Sequence, residues 1–215
     1  MSQQNTKTFT RKIAGSIALC ALLLGGCATI PSPDSTGNEE QTTSTRTYKE
    51  ALELDGRLSV QYQKDDQDQA IHASFNWKQS KDRSKITILS PLGQILATID
   101  SEPGIATLTQ SGQPSRSAAD VDALAEQALG WPLPVSGLRN WLQGFAIDTN
   151  NQAFVASESK TNVQTRDGWN IQYMSWDDDD QTPAQSRPKR IDLSRQTDQA
   201  GKVMIRIVLD KWQSQ

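Results

Sequence analysis

The chain has one histidine and two cysteines among its 215 residues. A single imidazole, His72, excludes a histidine-rich metal site and makes any Ser-His-Asp hydrolase depend on that one residue. Two cysteines, Cys20 and Cys27, lie too near the N-terminus to build a disulfide framework. There is no phosphate-binding glycine loop, no G-x-S-x-G elbow and no pair of residues at metal-ligand spacing. An enzyme reading therefore has no residues to carry it, and neither a metal nor an organic cofactor is expected. No acidic residue occurs in the first 26 positions, and removing them leaves 19 basic and 25 acidic side chains. That acidic balance argues against nucleic acid as a partner. Apolar residues are also scarce: Leu, Ile, Val and Phe together number 43. This lies at the edge of what folds, so the core should be thin.

What is present begins with a leader. Residues 1–12 are polar and basic, and Ile13 to Leu24 is an apolar run of twelve. A bilayer span needs roughly 20 such residues, so residues 1–26 read as a signal peptide. The run ends in Leu24-Gly25-Gly26-Cys27, which resembles the bacterial lipobox. That resemblance implies a diacylglycerol on the sulfur of Cys27 and an N-palmitoyl chain on its amino group. Two or more chains anchor a protein stably where one does not. The next residue is Ala28 and not the aspartate usual in inner-membrane lipoproteins, which points to the outer membrane, facing the periplasm. Residues 27–47 are rich in Ser, Thr, Pro and Gln and read as a flexible tether, reaching about 25 Å for about twenty residues.

From residue 48 to 215 the pattern is that of a folded domain. A short helical start is expected over Tyr48 to Leu54. Leu58-Val60-Tyr62 and Ile71-Ala73-Phe75-Trp77 then alternate with polar residues around the polar stretch Lys64 to Gln69, as in an antiparallel hairpin. Ile86-Ile88, Ile95-Ala97-Ile99 and Ile105-Leu108 continue as strands, with Pro103-Gly104 as a turn. Val121, Leu124, Ala125, Ala128 and Leu129 follow helical spacing. Ser117 with Asp120 suggests a capping box, and Gly130 a stop. A second helix is expected after Pro134, carrying Leu138, Trp141 and Leu142 to near Gly144. The remainder returns to strands over 153–157, 163–166, 169–173, 191–193 and 203–209. This predicts an α+β fold: an incomplete antiparallel β-barrel of about ten or eleven strands, with helices covering a concave apolar face.

Three features stand out as candidate sites. In Ser90-Pro91-Leu92-Gly93-Gln94, Pro91 and Gly93 suit a tight turn that leaves Leu92 at its tip. Leu92 either folds back into the core or probes a membrane. Trp77, Trp131, Trp141 and Trp169 fall on inner faces or at a helix junction, where they either fill the core or line a pocket for acyl chains. Asp177 to Asp180 either bind calcium or form a solvated loop, and they lack the alternation and glycine of a calcium loop. His72 falls on the polar face of its strand.

The strings GRLSV (56–60), FNW (75–77), SPLGQ (90–94), ALAEQALGWPLPVSGLRNWLQG (123–144), DGWNIQY (167–173), RPKRIDL (187–193) and IRIVLDKW (205–212) resemble the LolB family of outer-membrane lipoprotein receptors. The resemblance covers nearly all of the domain and the lipobox. It implies a monomer that accepts acylated lipoproteins from the periplasmic carrier LolA and inserts them into outer-membrane lipid. It implies an insertion loop at Pro91, Leu92 and Gly93. It also implies an acyl-chain cavity, for which Val60, Phe75, Trp77, Ile88, Leu138, Trp141, Trp169, Tyr173 and Ile207 are the candidate lining. The rival from another class is an outer-membrane scaffold lipoprotein that binds protein partners without lipid cargo; it predicts a filled core among Trp77, Trp141 and Trp169.

Overall fold

The structure, a computed structural model, describes residues 46–177 and 186–214. The expected signal peptide, Cys27, nearly all of the tether and Asp178 to Asp180 lie outside the described residues.

Two meanders make one sheet. The first runs β1 (Leu52–Lys64), β2 (Gln67–Gln79), β3 (Ser84–Leu89), β4 (Ile95–Glu102), β5 (Ile105–Gln110) and β6 (Arg116–Ala118). The chain then leaves the sheet for helices α1 (Val121–Leu129) and α2 (Val135–Trp141) and the hairpin β7 (Phe145–Ile147)–β8 (Ala153–Val155). It returns as β9 (Asn162–Gln164), β10 (Asn170–Asp177), β11 (Arg187–Thr197) and β12 (Gly201–Ser214). The strand order β6-β5-β4-β3-β2-β1-β12-β11-β10-β9 is antiparallel throughout, so the first and last strands of the domain pair at its middle. The ten-stranded sheet is open, with β6 and β9 at its edges. Among the described residues the strands number twelve, two of them in the separate β7–β8 hairpin.

The alternation read in the sequence sets the inner face. Leu54 pairs with Trp77 and Trp212, Phe75 with Ile88, and Leu193 with Ile205. A register slip at Asp55/Gly56 bends β1 against β12. Gly56 is required there, because a Cβ would come within 2.5 Å of the Val208 carbonyl oxygen and 2.7 Å of the Phe75 ring.

The segment between the meanders is the cover. Val121, Leu124, Trp131, Val135, Trp141, Leu142 and Phe154 join the sheet's inner residues in one buried cluster. α1 packs on β5, β6 and α2.

Local expectations fail in three places. Residues 48–51 precede β1 without forming a helix. The buried Gln143 side chain instead takes the Lys49 N–H on Oε1 (2.8 Å) and donates Nε2 to the Lys49 carbonyl (3.1 Å), which removes that peptide from any helical ladder. The capping box is replaced by a plain cap: Asp120 accepts from the Ala123 N–H at 2.8 Å, while Ser117 sits in β6 with its hydroxyl 3.0 Å from Thr107. The polar stretch 64–69 shortens to a two-residue turn at Asp65 and Asp66, both at positive φ. Gly130 ends α1 in the left-handed conformation, and α2 starts after Pro134, as the spacing implies.

Candidate functional site

The β3–β4 connection is a tight turn whose chemistry is written in five residues. The Gly93 N–H donates to the Ser90 carbonyl at 2.8 Å, and the Ser90 N–H donates to the Gln94 carbonyl at 2.8 Å. Pro91 presets its own φ at the first corner. Gly93 takes φ 81°, a left-handed conformation that costs a residue with a Cβ. The Ser90 hydroxyl accepts from the Gln94 N–H at 3.2 Å, closing the loop from its polar side. Leu92 is left at the second corner, 89 % exposed, with Pro91 and Gly93 also exposed. The alternative in which Leu92 folds back into the core is not the one adopted.

Just past the turn, a register slip sets Ile95 opposite Leu89 and leaves Leu96 as the extra residue on β4. Ile95 and Leu96 are 60 % and 45 % exposed. No charged residue occurs from Thr87 to Ile99.

The second candidate region is the interior. Phe75, Trp77, Trp141, Trp169, Tyr173 and Ile207 are buried in one cluster, whereas Val60, Ile88 and Leu138 are half-buried against it. The rings of Trp141 and Trp169 lie 6.4 Å apart, and the Tyr173 hydroxyl donates to the Trp141 carbonyl at 3.1 Å. Burial pushes the Tyr173 phenol well above its ordinary value, so it stays a neutral donor. The indole N–H groups of Trp131 and Trp169 are buried without a partner, each a small standing cost. An open pocket of about 680 Å³ lies against α2, between it and the β7–β8 hairpin, with Pro134, Gly137, Trp141, Phe145 and Phe154 among its walls. Of the nine residues expected to line an acyl-chain cavity, Trp141 alone borders this pocket.

Sequence reasoning missed what holds the cover in place. Arg139 of α2 donates from Nε to the Tyr48 hydroxyl (3.1 Å) and from Nη2 to the carbonyls of Lys81 (2.8 Å) and Ser80. It thereby ties α2 to the β2–β3 turn, through backbone carbonyls. Asp122 on α1 accepts from the Ser136 N–H at 2.8 Å and from its hydroxyl at 2.5 Å, joining the two helices. Their partners lie 14 to 91 residues away, so spacing offers no signal. Arg46 packs its guanidinium 5.0 Å over the Trp176 ring, and burial pulls it below its ordinary value.

The remaining candidates are quickly placed. His72 is exposed on β2 opposite Ser59. Asp177 bridges Lys189 at 3.5 Å and Arg187 at 3.8 Å. Among the described residues no cluster of three His, Cys, Asp or Glu is arranged for a metal, and no helix is long and apolar enough to cross a membrane.

The domain is thus an open antiparallel sheet with a helical cover and an exposed, uncharged apolar tip. The family model "Outer membrane lipoprotein LolB" matches residues 50–212, and the chain belongs to that family. It is 35 % identical over 211 residues to the outer-membrane lipoprotein LolB of Ralstonia nicotianae, covering 94 % of this chain and 98 % of that one. It is 34 % identical over 195 residues to that of Cupriavidus taiwanensis, covering 88 % and 91 %. Among solved structures, a LolA superfamily protein from Nitrosomonas europaea aligns with a TM-score of 0.44 at 9 % identity, over 80 % of this chain and 90 % of that one.

Proposed function

We propose that this chain is an outer-membrane-anchored receptor that accepts acylated lipoproteins from the soluble periplasmic carrier LolA and inserts them into the outer membrane. The observation that carries the reading is Leu92, 89 % exposed on an uncharged turn, in a chain of the LolB family. Residues 1–26 act as the signal peptide, Cys27 carries the lipid, and residues 28–47 form the tether. The tether keeps a domain of residues 48–215 at the bilayer. The open sheet curls into an incomplete barrel under its helices, and the domain works as a monomer without a cofactor or catalytic step.

Cargo chains enter where the apolar interior is least covered. Val60, Ile88 and Leu138, like Leu58, Tyr62 and Leu133, are only half-buried against the core cluster. Entry displaces the cover held by Arg139. The pocket beside Trp141 offers a second volume, against α2.

Transfer runs downhill. An acyl chain in water is unfavourable by about 0.8 kcal/mol per exposed methylene. A step of about 1.4 kcal/mol between successive hosts gives a tenfold bias. Burying Leu92 in lipid contributes roughly 1.5–3 kcal/mol, too little to anchor a protein but enough to favour contact by one already tethered.

The test separates acceptance from release. The mature protein and its Leu92→Glu variant are given a purified acylated lipoprotein on its carrier, with and without liposomes. Both should take up cargo, and only the parent should pass it to lipid. Normal release by the variant overturns the role of the tip. Failure of the parent to form a complex with cargo overturns the receptor reading in favour of a scaffold lipoprotein, for which the packed ring contact of Trp141 and Trp169 speaks.

A further inference from the structure

The exposed grease at this end of the sheet is not one residue but the first band of a gradient. We propose that the outer corner of β3, β4 and β5 is a bilayer-docking surface, with Ile95 and Leu96 entering lipid beside the tip and a row of hydroxyls at headgroup depth. This rests on the reading of Leu92 as a lipid-facing tip.

The gradient follows from register. Ile88, Ala97 and Ile99 face the core cluster, so the residues alternating with them, Thr87 and Thr98, lie on the outer face. Thr87 pairs with Thr98, and Thr98 with Thr109. Thr109 reaches the Ser115 hydroxyl at 3.2 Å, which carries the row of hydroxyls to the start of β6. On the tip side of this row stand Leu96, Ile95 and Leu92, all exposed. On the other side the charges begin. Lys85 bridges Asp100 at 3.5 Å, and Arg83 bridges Glu102 at 3.2 Å. The β5–β6 turn, which comes to the same end, is uncharged from Thr107 to Ser115.

Apolar, hydroxyl and charged bands thus follow one another along a single strand. From Leu96 to Asp100 is about 13 Å at about 3.4 Å per residue. A leaflet's headgroup region is about 6 Å thick, so the hydroxyl row fits it while the ion pairs remain in water. The slip at Leu89/Ile95 contributes by exposing two consecutive apolar residues, which a regular strand would send to opposite faces. The chemistry selects neutral lipid. The stretches 87–99 and 107–115 are uncharged, the adjoining Arg116 is engaged by Gln110 Oε1 at 2.6 Å, and in the β1–β2 hairpin leaving the sheet at the same end Lys64 is followed by Asp65 and Asp66.

The experiment places one fluorophore at a time on the mature anchored protein, through Leu92→Cys, Leu96→Cys, Thr98→Cys or Asp100→Cys. The vesicles are of phosphatidylethanolamine and phosphatidylcholine with nitroxide-bearing acyl chains, and the parent protein gives the background. Quenching should be strong at positions 92 and 96, intermediate at 98 and at background at 100. Quenching at 92 alone overturns the docking corner and leaves the tip intact. Background at all four positions overturns both, and equal quenching at all four overturns the gradient. In parallel, Leu96→Asp should slow cargo release into these vesicles at least threefold. Ile105→Asp, exposed at the opposite end of β5, should leave it unchanged; equal effects of the two overturn the corner.

Discussion

The two halves of the sheet bury their residues very differently. On β10, β11, β12 and the start of β1, the inner residues Leu52, Leu54, Ile171, Tyr173, Ile191, Leu193, Val203, Ile205, Ile207 and Leu209 are buried, while Leu58, Val60 and Tyr62 further along β1 are half-covered. On β3, β4 and β5, only Ile86, Ala106 and Leu108 are buried, Ile88, Ala97 and Ile99 are half-covered, and Ile95, Leu96 and Ile105 are exposed. A chain this poor in large apolar residues cannot seal both halves. It concentrates them where first and last strands meet and leaves the other half thinly covered. Stability then resides mainly in the first half, while the second leaves Ile95, Leu96 and Ile105 in solvent.

The sharpest way to break this division is to truncate one isoleucine in each half. Ile171→Ala, at 0 % exposure, should cost about 2–5 kcal/mol in denaturant unfolding. Ile105→Ala, at 49 % exposure, should stay within about 0.5 kcal/mol. Equal costs would mean that the two halves are sealed alike. Leu92→Glu should share only the stability outcome of Ile105→Ala: unfolding unchanged, but with release lost.

A smaller effect is expected at Gly56→Ala. The added methyl meets a strand carbonyl, which cannot move without disturbing β12, and the Phe75 ring. The expected loss is about 1–3 kcal/mol, read as a fall in the unfolding midpoint. Gly93→Ala has open space around it and suffers only from its positive φ, so its loss should be about 1 kcal/mol.

Much of this division is legible in the sequence. Period-two alternation places Leu58, Phe75, Trp77 and Ile207 on inner faces, and Pro91 with Gly93 fixes the turn that leaves Leu92 outside. The family's strings lie mostly in regular strands and the helical cover, where local pattern and burial agree. Three things are not legible, each because it depends on distant partners. Lys49 is kept from a helix by Gln143, 94 residues on. The hold of Arg139 on the β2–β3 turn spans 58 residues. Packing of Trp77, Trp141 and Trp169 into one buried cluster cannot be told from a pocket lining by periodicity, because both need apolar residues at the same positions. The gradient on the outer corner needs the register of three strands before Thr87, Thr98 and Thr109 are seen as one row.

The cover over the thin half offers a milder test. Asp120→Ala removes the side chain that caps α1, at a cost of about 1 kcal/mol. Because α1 packs on β5 and β6, protection against amide hydrogen exchange should fall there and stay unchanged in β11 and β12. Equal loss in both halves would show that they unfold as one unit.

The smallest expected effect lies on the outer face of the well-sealed half and depends on pH. Burial raises the Asp192 carboxyl, but its two bonds to Arg190, at 2.6 and 3.0 Å, and the nearby Arg206 at 3.4 Å outweigh this and hold it below its ordinary 3.8. A depressed carboxylate contributes stability above its unfolded value and loses it as pH falls through the folded one. Asp192→Asn should therefore be less stable than the parent at neutral pH, by less than about 1 kcal/mol for so exposed a cluster. The gap should close in acid, once pH has fallen below the folded value of the carboxyl and both proteins carry a neutral side chain. It should also shrink in high salt, because at least one partner is well solvated. A gap that persists in acid would assign the loss to the geometry of the β11–β12 pairing and not to charge.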